Sequence, residues 1–323
     1  MLENLFIFGV SLFLIIKGAT ISTKYSFKIA EKLKISKYII GFIVVAIISI
    51  IPETFVAINT AFQNVPSLGL GTLFGSNIAD LTLIFAIIIF VANRGIKVES
   101  KILTNNSVYP FFLIVPIVLG LDGFYSRVEG IVLIICGILF YYLSFRRNTL
   151  KKEVVEEEEI IEDLSNSNIT DKGKVSKSIW GLIFSMILLL VGSHFIVTSS
   201  IDIANYLHIN SVILGILVLG LGTTIPEFSF CLASIKDNHD SLAVGDLLGT
   251  VLADATIVLG LLSLINPFTF PVRIIYVTGT FMVVASFILF YFMKTGKTIS
   301  KKEGYILLFI WILFIILEIT LNG

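Results

Sequence analysis

Two glutamates stand in the middle of apolar runs where a membrane-spanning segment would be expected to carry no charge. Glu53 lies in "ISIIPETFVA" (48–57) and Glu227 lies in "TTIPEFSFCL" (223–232), each directly after a proline. An ionised carboxylate at the centre of a bilayer costs about 3 kcal/mol on insertion scales. No Lys or Arg lies at comparable depth in the apolar runs. The balancing charge is therefore expected from bound cations or protons.

The prolines indicate how oxygen ligands could become available beside these acids. A proline inside a helix lacks an N–H group and crowds the carbonyl four residues earlier, so the carbonyls of Ile48 and Gly222 should be freed. The backbone around them, at 46–49 and 220–223, should be loosened. Carbonyls released at membrane depth need a partner, and a cation is a suitable one where the segment lines a cavity.

A second pair of segments supplies further oxygen atoms. "GLGTLFGSNIAD" (69–80) and "AVGDLLGTVLAD" (243–254) each carry two glycines four residues apart, then a hydroxyl residue and an aspartate. The glycine spacing is typical of close helix packing. Ser76 and Thr250 lie about one turn before Asp80 and Asp254, on the same helix face. Carboxylates, hydroxyls and carbonyls favour hard cations such as Ca²⁺ and Na⁺ over zinc or copper.

The elements that must position these residues are membrane helices. The chain is 56% hydrophobic and 14% charged, which is more apolar than a soluble domain. A span needs roughly 20 apolar residues, and lipid-exposed backbone must satisfy its own polar groups. The prediction is an all-α integral membrane protein with ten transmembrane helices, here called spans 1 to 10, at about 3–20, 37–61, 67–91, 104–121, 127–145, 178–200, 211–235, 241–265, 271–293 and 303–321. The first run has no basic leader or small-residue cleavage site and is interpreted as a retained helix.

The loop charges predict an orientation. Twenty Lys and Arg residues follow spans 1, 3, 5, 7 and 9, whereas the opposite loops hold only Arg127 and Arg273. The positive-inside rule then places both termini outside the cell and the basic loops in the cytoplasm. The longest of these loops, 146–177, contains an acidic run and a polar tract, which are typical of a solvated linker. It separates a first five-helix repeat (1–145) from a second (178–323).

The two halves repeat one another at an offset of 174 residues, without a gap over about 46 residues. The matched positions include Pro52/Pro226, Glu53/Glu227, Gly71/Gly245, Gly75/Gly249 and Asp80/Asp254. Five spans per repeat is an odd number, so corresponding spans should cross in opposite directions. Such inverted repeats, with interrupted helices that meet near the midplane, are a recurring design of secondary transporters.

At these residues the sequence resembles the calcium/cation antiporter superfamily, most closely the prokaryotic sodium/calcium exchangers. "GTTIPE" (222–227) and "GSNIAD" (75–80) are similar to the family's two motifs. The resemblance implies a Ca²⁺ held by Glu53 and Glu227, with Na⁺ positions near Ser49, Thr223, Thr224, Ser76 and Thr250. It also implies alternating access, with spans 1 and 6 sliding past the other helices.

The sequence departs from the family motifs in ways that leave the coupling ion open. Ile48, Ser49 and Ile50 stand where the family has Gly-Thr-Ser, and Thr250-Val251 stands where Ser-Asn is usual. The motifs at 69–80 and 243–254 end in Asp80 and Asp254, where the family commonly has one Asn and one Asp. The primary hypothesis is therefore a non-enzymatic antiporter that exports Ca²⁺, or a related divalent cation, in exchange for Na⁺. The alternative is coupling to H⁺.

An intramembrane aspartyl protease is a remote alternative. It would need a Tyr-Asp pair and a Gly-x-Gly-Asp motif, whereas Asp80 follows Ala79 and "AVGD" (243–246) matches only in part. It would also leave both glutamates unexplained.

The remaining polar residues carry weaker expectations. Cys136 and Cys231 should be packing residues, and the three histidines lack the spacing of a zinc site. Asp202 and Glu318 are expected to be solvated at helix ends, and Asp246, opposite Thr72 in the repeat, is left undecided as a vestibule residue. We expect no cofactor and no nucleic-acid partner. The expected partners are membrane lipid and inorganic cations, and the protein should function as a monomer in the cell membrane.

Overall fold

The computed structural model describes residues 2–32, 49–98, 108–149, 175–236, 240–296 and 298–322. Gly41, Ile48 and most of the linker at 146–177 lie outside these ranges, so the predictions made for them are not addressed by the structure. Within these ranges the elements are almost entirely helical.

The first half, 2–149, consists of helices and two short strands. In chain order they are α1 (Leu2–Lys32), α2 (Ile51–Phe62), α3 (Pro66–Ala79), the π-helical turn π1 (Asp80–Ile84), α4 (Phe85–Ala92), β1 (Ile96–Lys97), α5 (Tyr109–Leu119), β2 (Phe124–Tyr125) and α6 (Arg127–Thr149). Helices α3 and α4 are continuous through π1 and form one span, Pro66–Ala92.

The second half, 175–322, has the same character. Its elements are α7 (Val175–Leu207), α8 (Ser211–Leu214), π2 (Gly215–Leu219), α9 (Gly220–Thr223), α10 (Ile225–Lys236), α11 (Asp240–Ala253), π3 (Asp254–Val258), α12 (Leu259–Ile265), β3 (Phe268–Thr269), π4 (Ile275–Gly279), α13 (Thr280–Gly296), β4 (Thr298–Ile299) and α14 (Lys301–Asn322).

Eight of the ten predicted spans coincide with helices long and apolar enough to cross a membrane. The other two, spans 2 and 4, coincide in part with α2 and α5, and both extend into residues that the structure does not describe. In Pro66–Ala92 and Ala243–Ile265, 78% of the most apolar 18-residue stretch is buried in the protein. The corresponding share is 28% in α1, α6, α7 and α14. The two spans that carry the aspartates are thus the innermost, and the four others face outward with large apolar side chains.

Local structure recurs at the offset of 174 residues. The π-helical turns π1 and π3 begin at Asp80 and Asp254. The capping box at Ser126 and Glu129, which precedes α6, recurs at Ser300 and Glu303 before α14. In both boxes the glutamate accepts a hydrogen bond from the serine backbone N–H, which is the reciprocal pattern that fixes a helix start. The recurrence therefore reaches well beyond the stretch that the sequence alone aligns.

Two strand pairs connect the halves. Antiparallel β1 and β4 join Ile96 to Ile299, and antiparallel β2 and β3 join Phe124 to Thr269. The strands hold the loops that follow α4 and α13 together, and separately hold the loops that follow α5 and α12 together. Each half is therefore fastened to the other at two places.

A charged clamp lies beside the first strand pair. The two terminal guanidinium nitrogens of Arg94, Nη1 and Nη2, donate to Asp240 at the start of α11, and Nη2 also donates to the Ile235 carbonyl at 3.3 Å. The Lys97 backbone N–H donates to the same carboxylate at 2.8 Å. The hydrogen bond to Asp240 raises the pKa of Arg94. A neutral counterpart lies beside the second pair, where the Asn266 amide donates to the Ala61 carbonyl at 2.9 Å.

Helices α1 and α7 form a pair, and an apolar cluster joins them to α2, α3, α8 and π2. Gly192 of α7 lies against Ile15 and the Ser11 carbonyl of α1, and Gly18 lies against Leu189. The buried side chains Ile15, Leu189, Ile196 and Val197 belong to a cluster separate from the main core. The pair therefore packs on the remaining helices through an apolar surface, without merging into the main core.

Candidate functional site

Each predicted glutamate lies close to the start of a helix. The prolines lie in the first turns of α2 and α10, where a missing N–H causes no loss. Before them, Ile50 and Thr224 have nearly equal backbone angles, φ −75°, ψ −3° and φ −78°, ψ −5°. Glu53 and Glu227 consequently lie in the first turn of a helix. The free N–H groups and the macrodipole at that end favour a negative charge.

The two predicted aspartates occupy equivalent positions on the two innermost spans. Asp80 and Asp254 are fully buried, and each is the first residue of a π-helical turn. Single π turns inside α-helices are frequent at functional sites. None of the four carboxylate oxygens of these aspartates has a hydrogen-bond partner. Among the described residues only the nearby Ser76 hydroxyl favours the charge of Asp254, and no group favours that of Asp80.

The carboxylates form one electrostatic cluster. Glu53 and Asp80 interact with each other and with both Glu227 and Asp254, and Asp246 interacts with Glu53, Asp80 and Glu227. All five are at most 3% exposed, and the buried side chains of the described residues include no Lys, Arg or His. Like charges at close range repel strongly when shielded from water. The cluster is thus stable only with cations or protons among its members.

The geometry limits how many carboxylates one ion could contact. No three acidic, His or Cys side chains among the residues that the structure describes converge closely enough to hold one metal ion. An ion bound here would take two carboxylates at most and would complete its coordination with neutral oxygens. Hard cations such as Ca²⁺ accept hydroxyl and carbonyl oxygens of this kind.

Three of the predicted hydroxyl residues, Ser49, Thr223 and Ser76, lie beside carboxylates of the cluster. Thr223 lies beside the Glu53 carboxylate and Ser76 beside Asp254. Thr223, Thr224 and Ser76 each donate to a backbone carbonyl three residues earlier, at 3.2, 2.9 and 2.9 Å. Their oxygen lone pairs remain able to accept a cation. Thr250 is buried and its hydroxyl has no partner.

Close backbone packing brings the two halves together at the cluster. A Cβ atom on Gly71 would lie 2.6 Å from the Val212 carbonyl oxygen, and one on Gly220 would lie 2.7 Å from the Ser76 backbone nitrogen. Only glycine permits this approach of α3 to α8, π2 and α9. The hydroxyl of Ser76 is thereby placed next to the interrupted segment that leads to Glu227.

Sequence reasoning left out or misjudged three residues. Asp246 is 3% exposed and accepts a hydrogen bond from Ser49 at 2.6 Å, so it belongs to the cluster. Asn77 is buried with an unpartnered Oδ1 atom. A polar residue within a span was the available signal for both. The prediction that Glu318 is solvated at a helix end was wrong, because this residue is 1% exposed and accepts a hydrogen bond from Thr278. Asp202 is exposed, as expected.

The chain matches known membrane proteins along most of its length. The family profile described as "Sodium/calcium exchanger protein" matches residues 3–146 and again 177–320. The chain is 29% identical to an uncharacterized membrane protein of Methanocaldococcus jannaschii over 95% of both sequences. It is 24% identical to the sodium/calcium exchanger MaX1 of Methanosarcina acetivorans over 97% of both.

Solved structures share the fold over nearly the whole chain. A structure of the sodium–calcium exchanger NCX_Mj, soaked with Na⁺ and Sr²⁺, is 25% identical and covers 97% of each chain with a TM-score of 0.66. The family profile accounts for most of the sequence, including every candidate carboxylate. This multi-pass membrane protein therefore belongs to the sodium/calcium exchanger family, whose function is cation exchange.

Proposed function

We propose that the protein exports Ca²⁺, or a related divalent cation, in exchange for Na⁺ that enters the cell. The observation that carries the proposal is the cluster of buried carboxylates without a buried basic partner among the described residues. Such a cluster is electrically unbalanced until cations occupy it. A transported cation supplies the missing charge, and each departing cation must be replaced by another, which is the requirement for exchange.

The proposed ligands follow from position. Glu53 and Glu227 hold the divalent ion, because each stands beside an interrupted backbone segment and at a helix N-terminus. Asp80 and Asp254, with Ser49, Ser76, Thr223, Thr224 and Thr250, supply the oxygens around it and bind Na⁺. The carboxylates and the neutral oxygens together offer the oxygen-only coordination that both ions prefer.

Movement of α1 and α7 against the remaining helices is the proposed route to alternating access. The apolar cluster through which this pair packs against α2, α3, α8 and π2 supports the idea, because an apolar surface can slide at low cost. The hydrogen bonds of Asn59 and Gln63 to α7 would break during the movement. The other helices are joined by strand pairs and close glycine contacts. We therefore expect the carboxylate cluster to stay in place while the pair moves.

The strand pairs support an inverted arrangement of two five-span repeats. β1 follows span 3 and pairs with β4, so the loops after spans 3 and 9 share one membrane face. β2 follows span 4 and pairs with β3, so the loops after spans 4 and 8 share a face. One crossing by span 4 separates β1 from β2. The third spans of the two halves, spans 3 and 8, then end on opposite faces and cross in opposite directions.

The orientation follows from loop charge. The face that carries β1, β4, Arg94 and Asp240 also carries the Lys and Arg excess and is the cytoplasmic face in this proposal. A single cysteine introduced as Ser167→Cys, in a background without Cys136 and Cys231, should react with a membrane-impermeant maleimide only after the cells are opened. Labelling of intact cells would reverse the orientation.

The direct test of function is transport by the purified protein in liposomes. Uptake of ⁴⁵Ca²⁺ is measured while Na⁺, K⁺ and proton gradients are imposed in turn. We expect the Na⁺ gradient to drive uptake and Glu53→Gln to abolish it. Uptake that follows the proton gradient and ignores Na⁺ would contradict the sodium assignment.

Proton coupling is the second candidate, and one observation favours it. Ile50 places an apolar side chain where the second half has Thr224, and the motifs 69–80 and 243–254 both end in an aspartate. The first half thus offers fewer neutral oxygens for Na⁺ and more acid groups for protons. If protons are the coupling ion, Asp80→Asn and Asp254→Asn should remove the pH dependence of transport.

A further inference from the structure

Asp246 is a buried acid without an acidic counterpart in the other half, where the equivalent residue is Thr72. It lies on α11 and is 3% exposed. Its Oδ1 atom accepts a hydrogen bond from Ser49 at 2.6 Å, and its Oδ2 atom lies 4.0 Å from the sulfur of Cys231. Both neighbours are neutral, and its charged neighbours, Glu53, Asp80 and Glu227, are themselves acids. The fold therefore places a fifth negative charge at the cluster without a counter-charge from the described residues.

Asp246 continues a line of oxygen atoms along one helix face. Asp246 and Thr250 on α11 and Asp254 at the start of π3 are spaced four residues apart, so they share a face at intervals of about 6 Å. The Thr250 hydroxyl is buried without a partner, and both oxygens of Asp254 are also unpartnered. Unpartnered buried oxygens beside Asp246 indicate that a ligand, not a protein group, satisfies this line.

The other half lacks the extra charge. The equivalent positions on α3 and π1 are Thr72, Ser76 and Asp80. The Thr72 hydroxyl is buried and donates to the Leu68 carbonyl at 3.0 Å, so it is already satisfied. The two approaches to the cluster consequently differ: a carboxylate stands on the approach along the first turns of α11, and a neutral hydroxyl stands on the approach along α3.

The clamp identifies the face from which Asp246 is approached. Asp240, six residues earlier on α11, is held by Arg94 in the loop after α4. Six residues of helix correspond to about 9 Å. The carboxylate of Asp246 thus lies between the face of the clamp, which is cytoplasmic in the proposed orientation, and the central carboxylates.

We propose that Asp246, with Ser49 and Thr250, forms a docking site for a divalent cation on the cytoplasmic approach, from which the ion passes to Glu53 and Glu227. The inference rests on the proposed function and adds that the two membrane faces differ in their apparent affinity for the divalent cation. A negative charge on one approach raises the occupancy of a divalent ion on that side. The protein should therefore bind cytoplasmic Ca²⁺ with higher apparent affinity than extracellular Ca²⁺.

The test compares the two faces in inside-out and right-side-out vesicles from cells that produce the protein. ⁴⁵Ca²⁺ uptake is driven by Na⁺ loaded inside the vesicles, and the half-saturating Ca²⁺ concentration is measured on the outward-facing side. Vesicles with Glu53→Gln give the background. We expect Asp246→Asn to raise the half-saturating Ca²⁺ concentration about tenfold in inside-out vesicles and to change it less than about twofold in right-side-out vesicles.

Thr72→Asp is the matched variant, since it puts a carboxylate on the opposite approach without removing a cluster residue. It should lower the half-saturating Ca²⁺ concentration in right-side-out vesicles only. If Asp246→Asn fails to accumulate in cells, Thr72→Asp alone tests whether a carboxylate on one approach raises the Ca²⁺ affinity of that face. Equal changes on both faces, or no change on either, would overturn the docking site while wild-type exchange stands. Wild-type vesicles without Na⁺-dependent Ca²⁺ flux would instead contradict the proposed function, and the docking site with it.

Discussion

The two halves have nearly the same backbone at the cluster but different side chains upon it. The helix interruptions before Glu53 and Glu227 have backbone angles within a few degrees of each other. The residues there differ, because Ile50 in the first half corresponds to Thr224 in the second. The prolines, the paired glycines of α3 and α11 and the four central acids are repeated, whereas the neutral residues beside them, such as Ile50 and Thr224, have diverged. A symmetric scaffold can therefore present an asymmetric site.

The support around the cluster also differs between the halves. The hydroxyls of Tyr109 and Tyr141 donate to the carbonyls of Leu248 and Gly249 on α11, both at 2.7 Å. The equivalent positions in the second half are Val283 and Ile315, which have no polar group. The helix that carries Asp246 and Thr250 is thus held by two additional hydrogen bonds. Such bonds fix the rotation of α11 and the direction of its acids.

The largest expected effect tests what the halves have in common. Glu53→Gln and Glu227→Gln should each lower Na⁺-driven Ca²⁺ flux by about 100-fold or more, because loss of a charged ligand is worth about 3 kcal/mol. Flux in liposomes measures this. Asp202→Asn, a change at an exposed acid on α7, is the control and should transport normally. Normal flux in either glutamine variant would remove that glutamate from the site.

The next prediction compares equivalent glycines. Gly71→Ala should destabilise the protein by about 1–3 kcal/mol, because its Cβ would lie 2.6 Å from the Val212 carbonyl oxygen. Gly245→Ala should change stability by less than about 1 kcal/mol, since no described atom lies within 4 Å of its Cβ position. Thermal unfolding in detergent measures both. Equal losses would show that the two packing positions are more alike than these contacts indicate.

The clamps at the two faces should differ in strength. Arg94→Gln leaves the buried Asp240 without its charged partner and should cost about 2 kcal/mol. Asn266→Ala removes one neutral hydrogen bond to Ala61 and should cost about 1 kcal/mol. The double variant Arg94→Gln, Asp240→Asn should recover part of the loss, since it leaves no unpaired charge. Stability of the double variant below that of Arg94→Gln would contradict a charge-based clamp.

The smallest effect concerns the neutral ligands of Na⁺. Ile50→Ser should lower the half-saturating Na⁺ concentration about two- to threefold, because one added hydroxyl contributes about 0.5 kcal/mol. The reciprocal variant Thr224→Ile should raise it by a similar factor. Both are measured as Na⁺ dependence of ⁴⁵Ca²⁺ exchange in liposomes, with the half-saturating Ca²⁺ concentration as the internal control. An unchanged Na⁺ dependence in both variants would favour proton coupling.

The sequence alone determined the elements and most of the candidate site. Hydropathy locates spans because the hydrocarbon thickness sets their length. Pro52 and Pro226 locate the interruptions because a proline cannot donate to its own helix. Glu53, Glu227, Asp80 and Asp254 stand out because a charge in an apolar run has a cost that must be compensated somewhere. These are local rules, and each can be applied to a few neighbouring residues.

Only the tertiary structure decided which polar residues share one environment. Asp246 joins the cluster through Ser49, which is 197 residues away in the chain, and no local pattern encodes that distance. Glu318 is buried because Thr278 lies against it, although its position near a helix end suggested solvent. The clamp between Arg94 and Asp240 and the strand pairs likewise join distant segments. Burial and electrostatic neighbourhood depend on how whole helices pack, and this packing is a property of the folded chain.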